Sequence, residues 1–141
     1  MTNKLSSADY PLAEKRPDLV RGPRGKSLDE VTLEQVIAGE VTMEDFRITP
    51  GALRAQGEIA RAAGRPTLAA NFDRAAEMVE VPQATIMEIY ELLRPGRATD
   101  TGKLLAAARR LRDDFGAETL AVFLEEAAEV YERRGLFRFR Y

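Results

Sequence analysis

The feature that most constrains this fold is a recurring helix pattern, in which apolar residues at helical spacing follow Thr, Asp or Pro and precede Gly. Thr49-Pro50 places Pro at the first position of a predicted helix, and Gly64 follows the last turn. Similar start and stop residues recur to the end of the chain. It predicts longer helices over residues 50–63, 67–79, 82–93, 99–115 and 117–134. In the second of these, one face collects Leu68, Phe72, Ala75, Ala76 and Val79.

A shorter helix precedes the longer ones. Thr32 would cap it, Gly39 would end it, and its apolar face would consist of Leu33, Val36 and Ile37. Strand-like alternation of apolar and polar residues is nearly absent. We therefore expect an all-α fold, an irregular bundle of about four to five longer helices plus one short helix.

The first 26 residues lack helical or strand periodicity and are interrupted by Pro11, Pro17, Gly22, Pro23 and Gly25. They also hold too few apolar residues to form a core of their own. We expect residues 1–26 to be an extended arm that binds a partner, and residues 27–141 to be the helical domain.

The residue types that are missing exclude several classes of function. The 141 residues include no His, no Cys and no Trp. Zinc sites built on His or Cys are therefore excluded, and so are Ser-His-Asp and Cys-His catalytic groups. The absence of Cys makes the cytosol the expected compartment.

Membranes and nucleic acids are not expected partners. No apolar run approaches the length of about 18 residues that a membrane-spanning helix needs. Residues 75–92 resemble a helix-turn-helix in spacing, but they carry four glutamates and no Lys or Arg, namely Glu77, Glu80, Glu88 and Glu91. This charge would repel phosphates, and two helices joined at a Pro explain the spacing equally well.

Charge is distributed unevenly along the chain. Residues 1–26 hold six basic and three acidic residues, whereas residues 27–132 carry a net charge of −9. A basic terminal segment indicates either an acidic partner surface or nucleic acid, or else it serves solubility and pairs with the acidic body.

Several short motifs fall in a recognisable order. They are Tyr10-Pro11-Leu12-Ala13, Gly25-Lys26-Ser27-Leu28, Gly39-Glu40-Val41, Arg47-Ile48, Asn71-Phe72, Leu93-Arg94-Pro95 and Glu126-Ala127-Ala128-Glu129-Val130-Tyr131. In this order and spacing the chain resembles the small (gamma) subunit of adenosylcobalamin-dependent diol and glycerol dehydratases. No single motif is specific, but together they span most of the chain.

The resemblance implies that this chain is a non-catalytic subunit of a larger enzyme. In that family, large, medium and small subunits form a dimer of heterotrimers that converts 1,2-diols to aldehydes by radical chemistry. Adenosylcobalamin is bound by the other subunits, so we expect no catalytic, cofactor-binding or metal-binding residue on this chain. The alternative is a stand-alone helical adaptor or regulator that binds another protein.

The expected interface residues lie in the arm and just before the first long helix: Tyr10, Pro11, Leu12, Arg16 and Arg47. Arg47 stands between Phe46 and Ile48. It would either anchor a partner, since Arg is favoured at interface centres, or form a salt bridge to the acidic body.

The expected location is the cytoplasm, with or without enclosure in a bacterial microcompartment. Some family members carry a longer amphipathic leader before the Tyr-Pro-Leu-Ala motif. Only nine residues precede Tyr10 here, and they contain no obvious leader of that kind.

Overall fold

The computed structural model describes residues 4–138, and its regular elements are all helical. Arg21 and Ser27 form an isolated antiparallel bridge, but no strand occurs within this range. The all-α prediction is confirmed. The α-helices are α1 (Leu12–Lys15), α2 (Leu33–Ile37), α3 (Pro50–Ala62), α4 (Pro66–Met78), α5 (Gln83–Leu93), α6 (Thr101–Phe115) and α7 (Glu118–Arg134). Short 3-10 turns cover Ser7–Asp9, Pro17–Leu19, Leu28–Glu30 and Met43–Phe46.

Local capping sets the ends of the longer helices, as the start and stop residues in the sequence predict. The side chains of Thr49 and Asp100 accept hydrogen bonds from first-turn amides of α3 and α6, at 3.2 and 2.8 Å. Gly116 and Gly135 end α6 and α7 in the left-handed conformation, which glycine adopts without strain. None of the described helices is long and apolar enough to span a membrane.

The chain forms two compact units, the first ending at Val79 and the second starting at Glu80. The main helix pair is α3 with α4 in the first unit and α6 with α7 in the second. This division differs from the expected boundary at residue 26, because the segment before that residue packs with helices that follow it.

Small residues allow α3 and α4 to approach closely. Ala69 and Ala76 of α4 are fully buried. A Cβ built on Gly57 of α3 would lie 3.3 Å from the Cβ of Phe72 and 3.5 Å from the carbonyl oxygen of Ala69. A side chain at position 57 would therefore require its neighbours on α4 to shift by a few tenths of an ångström.

The buried face of α4 is rotated from the predicted one. The large residues Leu68 and Val79 were expected in the core, but both are exposed. The physical reason is the close contact with α3, which only small side chains such as alanine allow. Leu68 and Phe72 line the wall of a cleft instead.

An extended arm is not clearly shown by the described residues 4–26, and binding of a partner by this segment stays a prediction. Leu5 and Leu12 are buried against Ala55 and Ile59 of α3. The backbone amide of Leu5 also donates to Glu58 at 3.3 Å. The few apolar residues of this segment need no core of their own, because they pack against α3 and share a buried cluster with it.

The second unit is built around three leucines. Leu104 and Leu111 of α6 and Leu124 of α7 are its largest fully buried side chains. Helix α5 adds Ile89 to this core. The Tyr131 hydroxyl donates to the carbonyl oxygen of Leu93, so α7 is tied to the end of α5.

Arg112 joins α6 to α7 through two carboxylates. It donates to both oxygens of Glu118, at 2.7 and 3.0 Å, and to both oxygens of Glu125, at 2.9 and 3.2 Å. The hydrogen bond from Arg112 lowers the pKa of Glu118 below its ordinary value of 4.5. Hydrogen bonds to Glu118 and Glu125 raise the pKa of Arg112 in turn. These bidentate contacts favour the ionised form of Glu118.

The packing of the N-terminal segment can be tested with two Leu→Ala substitutions. Leu12 is 7% exposed and Leu33 is 70% exposed. Leu12→Ala should lower the free energy of unfolding by about 2–3 kcal/mol, because it leaves a cavity against α3. Leu33→Ala should change it by less than about 0.5 kcal/mol. Urea unfolding followed by circular dichroism measures both values, and equal losses would contradict the packing described here.

Acid stability should depend on Glu118. Because its folded-state pKa is lowered, its stabilising contribution is present above about pH 4.5 and is lost as the pH falls through the folded pKa. Glu118→Gln should therefore be less stable than the wild type at neutral pH, and the difference should shrink in acid. The measurement is urea unfolding across this pH range. Glu126→Gln is the matched control, because Glu126 is exposed and has no ion pair within residues 4–138. A difference that persists unchanged into strong acid would argue against this role.

Candidate partner interface

The first unit contains a cleft of about 1090 Å³. The 3-10 turn and loop before α3 form one wall, and α3 and α4 supply further lining through Ile59, Leu68 and Phe72. The N-terminal segment contributes Tyr10 and Pro11. The cleft therefore lies within a single unit and draws on residues that are far apart in sequence.

Large apolar side chains at the cleft are exposed to solvent. Tyr10 is 70% exposed, Phe46 57%, Leu28 48% and Ile48 47%. Single exposed apolar residues are ordinary, but four that line one cleft form a contiguous patch of the kind that marks an interaction site. Their exposure makes the cleft the candidate surface for a partner.

Local sequence positions two of these side chains, Phe46 and Ile48. Thr42 begins the 3-10 turn Met43–Phe46 with a capping box, in which its backbone amide donates to Asp45. Arg47 follows in extended conformation, and Thr49 then caps α3. The turn and the helix start fix both ends of Phe46-Arg47-Ile48, so these side chains stand on a short, defined stretch of backbone.

Asp45 anchors this stretch to the N-terminal segment. Its side chain is fully buried, and Oδ2 accepts from Arg24 Nη1 at 2.8 Å and from the Thr42 amide at 2.8 Å. A Cβ added at Gly22 would lie 2.8 Å from the carbonyl oxygen of Asp45, which is closer than a side chain allows. Sequence reasoning missed both Asp45 and Gly22. The spacing Thr42-x-x-Asp45 was the available signal.

The rim of the cleft is basic. Its cationic lining residues are Arg21, Lys26, Arg47 and Arg65. Among the described residues of the lining, Asp45 is the one acidic residue, and Arg24 already balances its charge. Such a surface can bind an apolar segment and, at its edges, anionic groups.

Four of the five predicted interface residues line the cleft. Tyr10 and Pro11 are partly or largely exposed there, Arg47 is exposed, and Leu12 reaches the cleft although it is mostly buried against α3. Whether a partner contacts any of them stays a prediction.

Arg16, the fifth predicted residue, pairs with neighbouring carboxylates, and its contact with a partner stays a prediction. It does not line the cleft and donates to both oxygens of Asp18, at 3.0 and 2.9 Å. The hydrogen bond from Arg16 lowers the pKa of Asp18. Its guanidinium also lies 3.9 Å from Asp9, so Arg16 joins two turns of the N-terminal segment.

Comparison with known proteins agrees with the motif order. The family model described as dehydratase small subunit matches residues 5–138. A propanediol dehydratase small subunit from Citrobacter freundii is 49% identical over 126 residues, which is 89% of this chain and 73% of that protein. The propanediol dehydratase small subunit of Salmonella typhimurium is 49% identical over 127 residues, with 90% and 73% covered.

The family match includes nearly all described residues of both units, among them the cleft and the core of the second unit. The chain therefore belongs to the dehydratase small subunit family.

Proposed function

We propose that this chain is the non-catalytic small subunit of a propanediol or glycerol dehydratase. The observation that carries the proposal is 49% identity, over about nine tenths of the chain, to proteins named propanediol dehydratase small subunit. The complex would eliminate water from a 1,2-diol to give an aldehyde. The diol itself is not specified by this chain, because the substrate contacts would lie on another subunit.

The proposed partners are the large and medium subunits, assembled as a dimer of heterotrimers. The support from this chain is its exposed apolar surface, which includes Tyr10, Phe46 and Ile48 at the cleft. Aromatic residues and Arg are enriched in protein interfaces, and the cleft presents both. The proposed location is the cytoplasm, inside or outside a microcompartment.

Adenosylcobalamin would be bound by the other subunits. It supplies the radical chemistry of the complex when it is bound there. No residue of this chain is assigned to that cofactor. The cleft instead presents exposed apolar side chains, among them Tyr10, Leu28 and Phe46.

Reconstitution with purified subunits tests the proposal. Large and medium subunits from neighbouring reading frames are mixed with this chain, and complex formation and diol turnover are measured. We expect a stoichiometric complex and higher turnover than without the chain. The same mixture without this chain is the control. If no complex forms, the proposal fails in favour of a stand-alone adaptor.

Arg47 provides a sharper test at the level of one residue. Its side chain is 73% exposed and lies 3.4 Å from Glu44, an exposed pair within one turn. Such a pair contributes only about 0–1 kcal/mol to folding, whereas an interface anchor contributes about 2 kcal/mol or more to binding. Arg47→Ala should therefore keep the helical fold and weaken assembly roughly 30-fold.

The matched control for this experiment is Arg54→Ala, because Arg54 is exposed on α3 outside the cleft. Circular dichroism of each variant reports the fold, and titration into the large and medium subunits reports assembly. If the two variants bind with equal affinity, Arg47 forms only a surface ion pair with Glu44. Lost helicity in Arg47→Ala would instead assign it a role in folding.

A further inference from the structure

We propose that the cleft is the docking site for a segment of a partner dehydratase subunit in which apolar side chains are flanked by carboxylates. This inference rests on the proposed function and deepens it, because it assigns the contact to one surface and gives the chemistry of its occupant. The apolar side chains would cover Tyr10, Leu28, Phe46 and Ile48. The carboxylates would meet the basic rim.

The basic rim is the first argument for an acidic occupant. Many arginines of the described chain have a carboxylate within 4.0 Å, among them Arg16, Arg24, Arg47, Arg61, Arg94, Arg97, Arg110 and Arg112. Three of the four rim cations do not: no residue between 4 and 138 places a carboxylate that close to Arg21, Lys26 or Arg65. Three cations of the cleft lining are therefore left without a carboxylate by the described chain, beside the exposed apolar side chains that line the same cleft.

These rim cations retain most of their capacity to bind an anion. Arg21 uses one nitrogen to donate to the carbonyl oxygen of Gly25 at 2.9 Å. Arg21 and Lys26 also make minor contributions to lowering the pKa of Glu30, which is set mainly by the backbone amide of Ser27. Neither contact brings a carboxylate into the cleft. A partner with acidic residues would therefore complement the rim and be attracted to it during association.

The rigidity of the cleft is the second argument. Buried Asp45 holds Arg24 and Thr42 together, and Gly22 packs against the backbone of Asp45. The walls are therefore set before a partner arrives. A preformed surface loses little conformational entropy on binding, so exposed Phe46 and Ile48 can contribute most of their apolar burial to affinity.

The extent of the cleft favours a polypeptide over a small anion. Its volume of about 1090 Å³ lies at the upper limit of the range of about 300–1000 Å³ that is typical for small-molecule pockets. Its apolar side chains are also spread over the 3-10 turns, the loop before α3 and the N-terminal segment. A short chain segment can reach all of these surfaces at once.

A second copy of this chain is the competing occupant. The α2 helix of a second copy presents exposed Leu33 and Ile37, and Glu34 follows Leu33 in sequence. This helix therefore also combines apolar side chains with a carboxylate. Membership of a small-subunit family favours the partner subunit. The experiment separates these two possibilities.

Charge reversal on the rim tests the proposal. Lys26→Glu and Arg65→Glu are titrated into the complex of large and medium subunits at low and high ionic strength. Arg65 occupies the N-cap position of α4, where a glutamate is compatible with the helix dipole. Arg54→Glu makes the same charge change on α3 outside the cleft and is the matched control.

We expect each rim variant to bind about tenfold more weakly than the wild type at low ionic strength, with the deficit reduced at high ionic strength. Arg54→Glu should stay within about twofold of the wild type. Phe46→Ala should weaken binding at both ionic strengths, because its contribution is apolar. Circular dichroism and urea unfolding of each variant verify that the fold is retained.

Each remaining outcome overturns the proposal in a distinct way. If the wild type binds and the rim variants match Arg54→Glu, the docking site is wrong while the proposed function stands. If the wild type does not bind, both fail. If sedimentation shows that the isolated chain self-associates and that Lys26→Glu abolishes this, the occupant is a second copy of the chain.

Discussion

The buried carboxylate of Asp45 is the interaction on which the cleft depends. Burying a charge is costly unless a partner and hydrogen bonds compensate it, and here Arg24 and the Thr42 amide do so. The pair links residues 21 apart in sequence, so it holds the N-terminal loop against the turn that presents Phe46 and Arg47. Because Oδ1 of Asp45 has no hydrogen-bond partner in the described chain, loss of Arg24 would leave this carboxylate poorly compensated.

The helices could be predicted from the sequence because their signals are local. Thr49, Asp100, Gly116 and Gly135 each specify a helix end through their own backbone or side chain, and the structure places helix ends next to all four. The contacts between helices could not be predicted in the same way. The buried face of α4 depends on how closely Gly57 lets α3 approach, which is a property of two elements and not of one periodic pattern.

Hydrophobic periodicity also could not tell a core from an interface. Leu33, Val36 and Ile37 form an apolar helix face in the sequence, and the helix is present, but that face is exposed. The N-terminal segment shows the opposite error, because its apolar residues were judged too few to form a core. Leu5 and Leu12 are nevertheless buried. In both cases the missing information is the surface on the other side of the contact. For a subunit, that surface can belong to another chain.

Ion pairing separates two groups of basic residues that hydrophobic periodicity does not distinguish. Arg16 and Arg47 were both predicted to contact a partner, and both pair with a carboxylate within the chain, Arg47 with Glu44 at 3.4 Å. Arg16 donates to both oxygens of Asp18 and approaches Asp9, so its charge is used within the chain. The rim cations Arg21, Lys26 and Arg65 have no such carboxylate within the described residues.

An uncompensated cation on a flexible surface would simply be hydrated. The same cation beside exposed Phe46 and Ile48, on walls fixed by Asp45, also orients whatever anionic group it attracts. In the proposed complex the apolar patch and the basic rim would act together: the patch would supply most of the affinity, and the rim would select which apolar segment can bind.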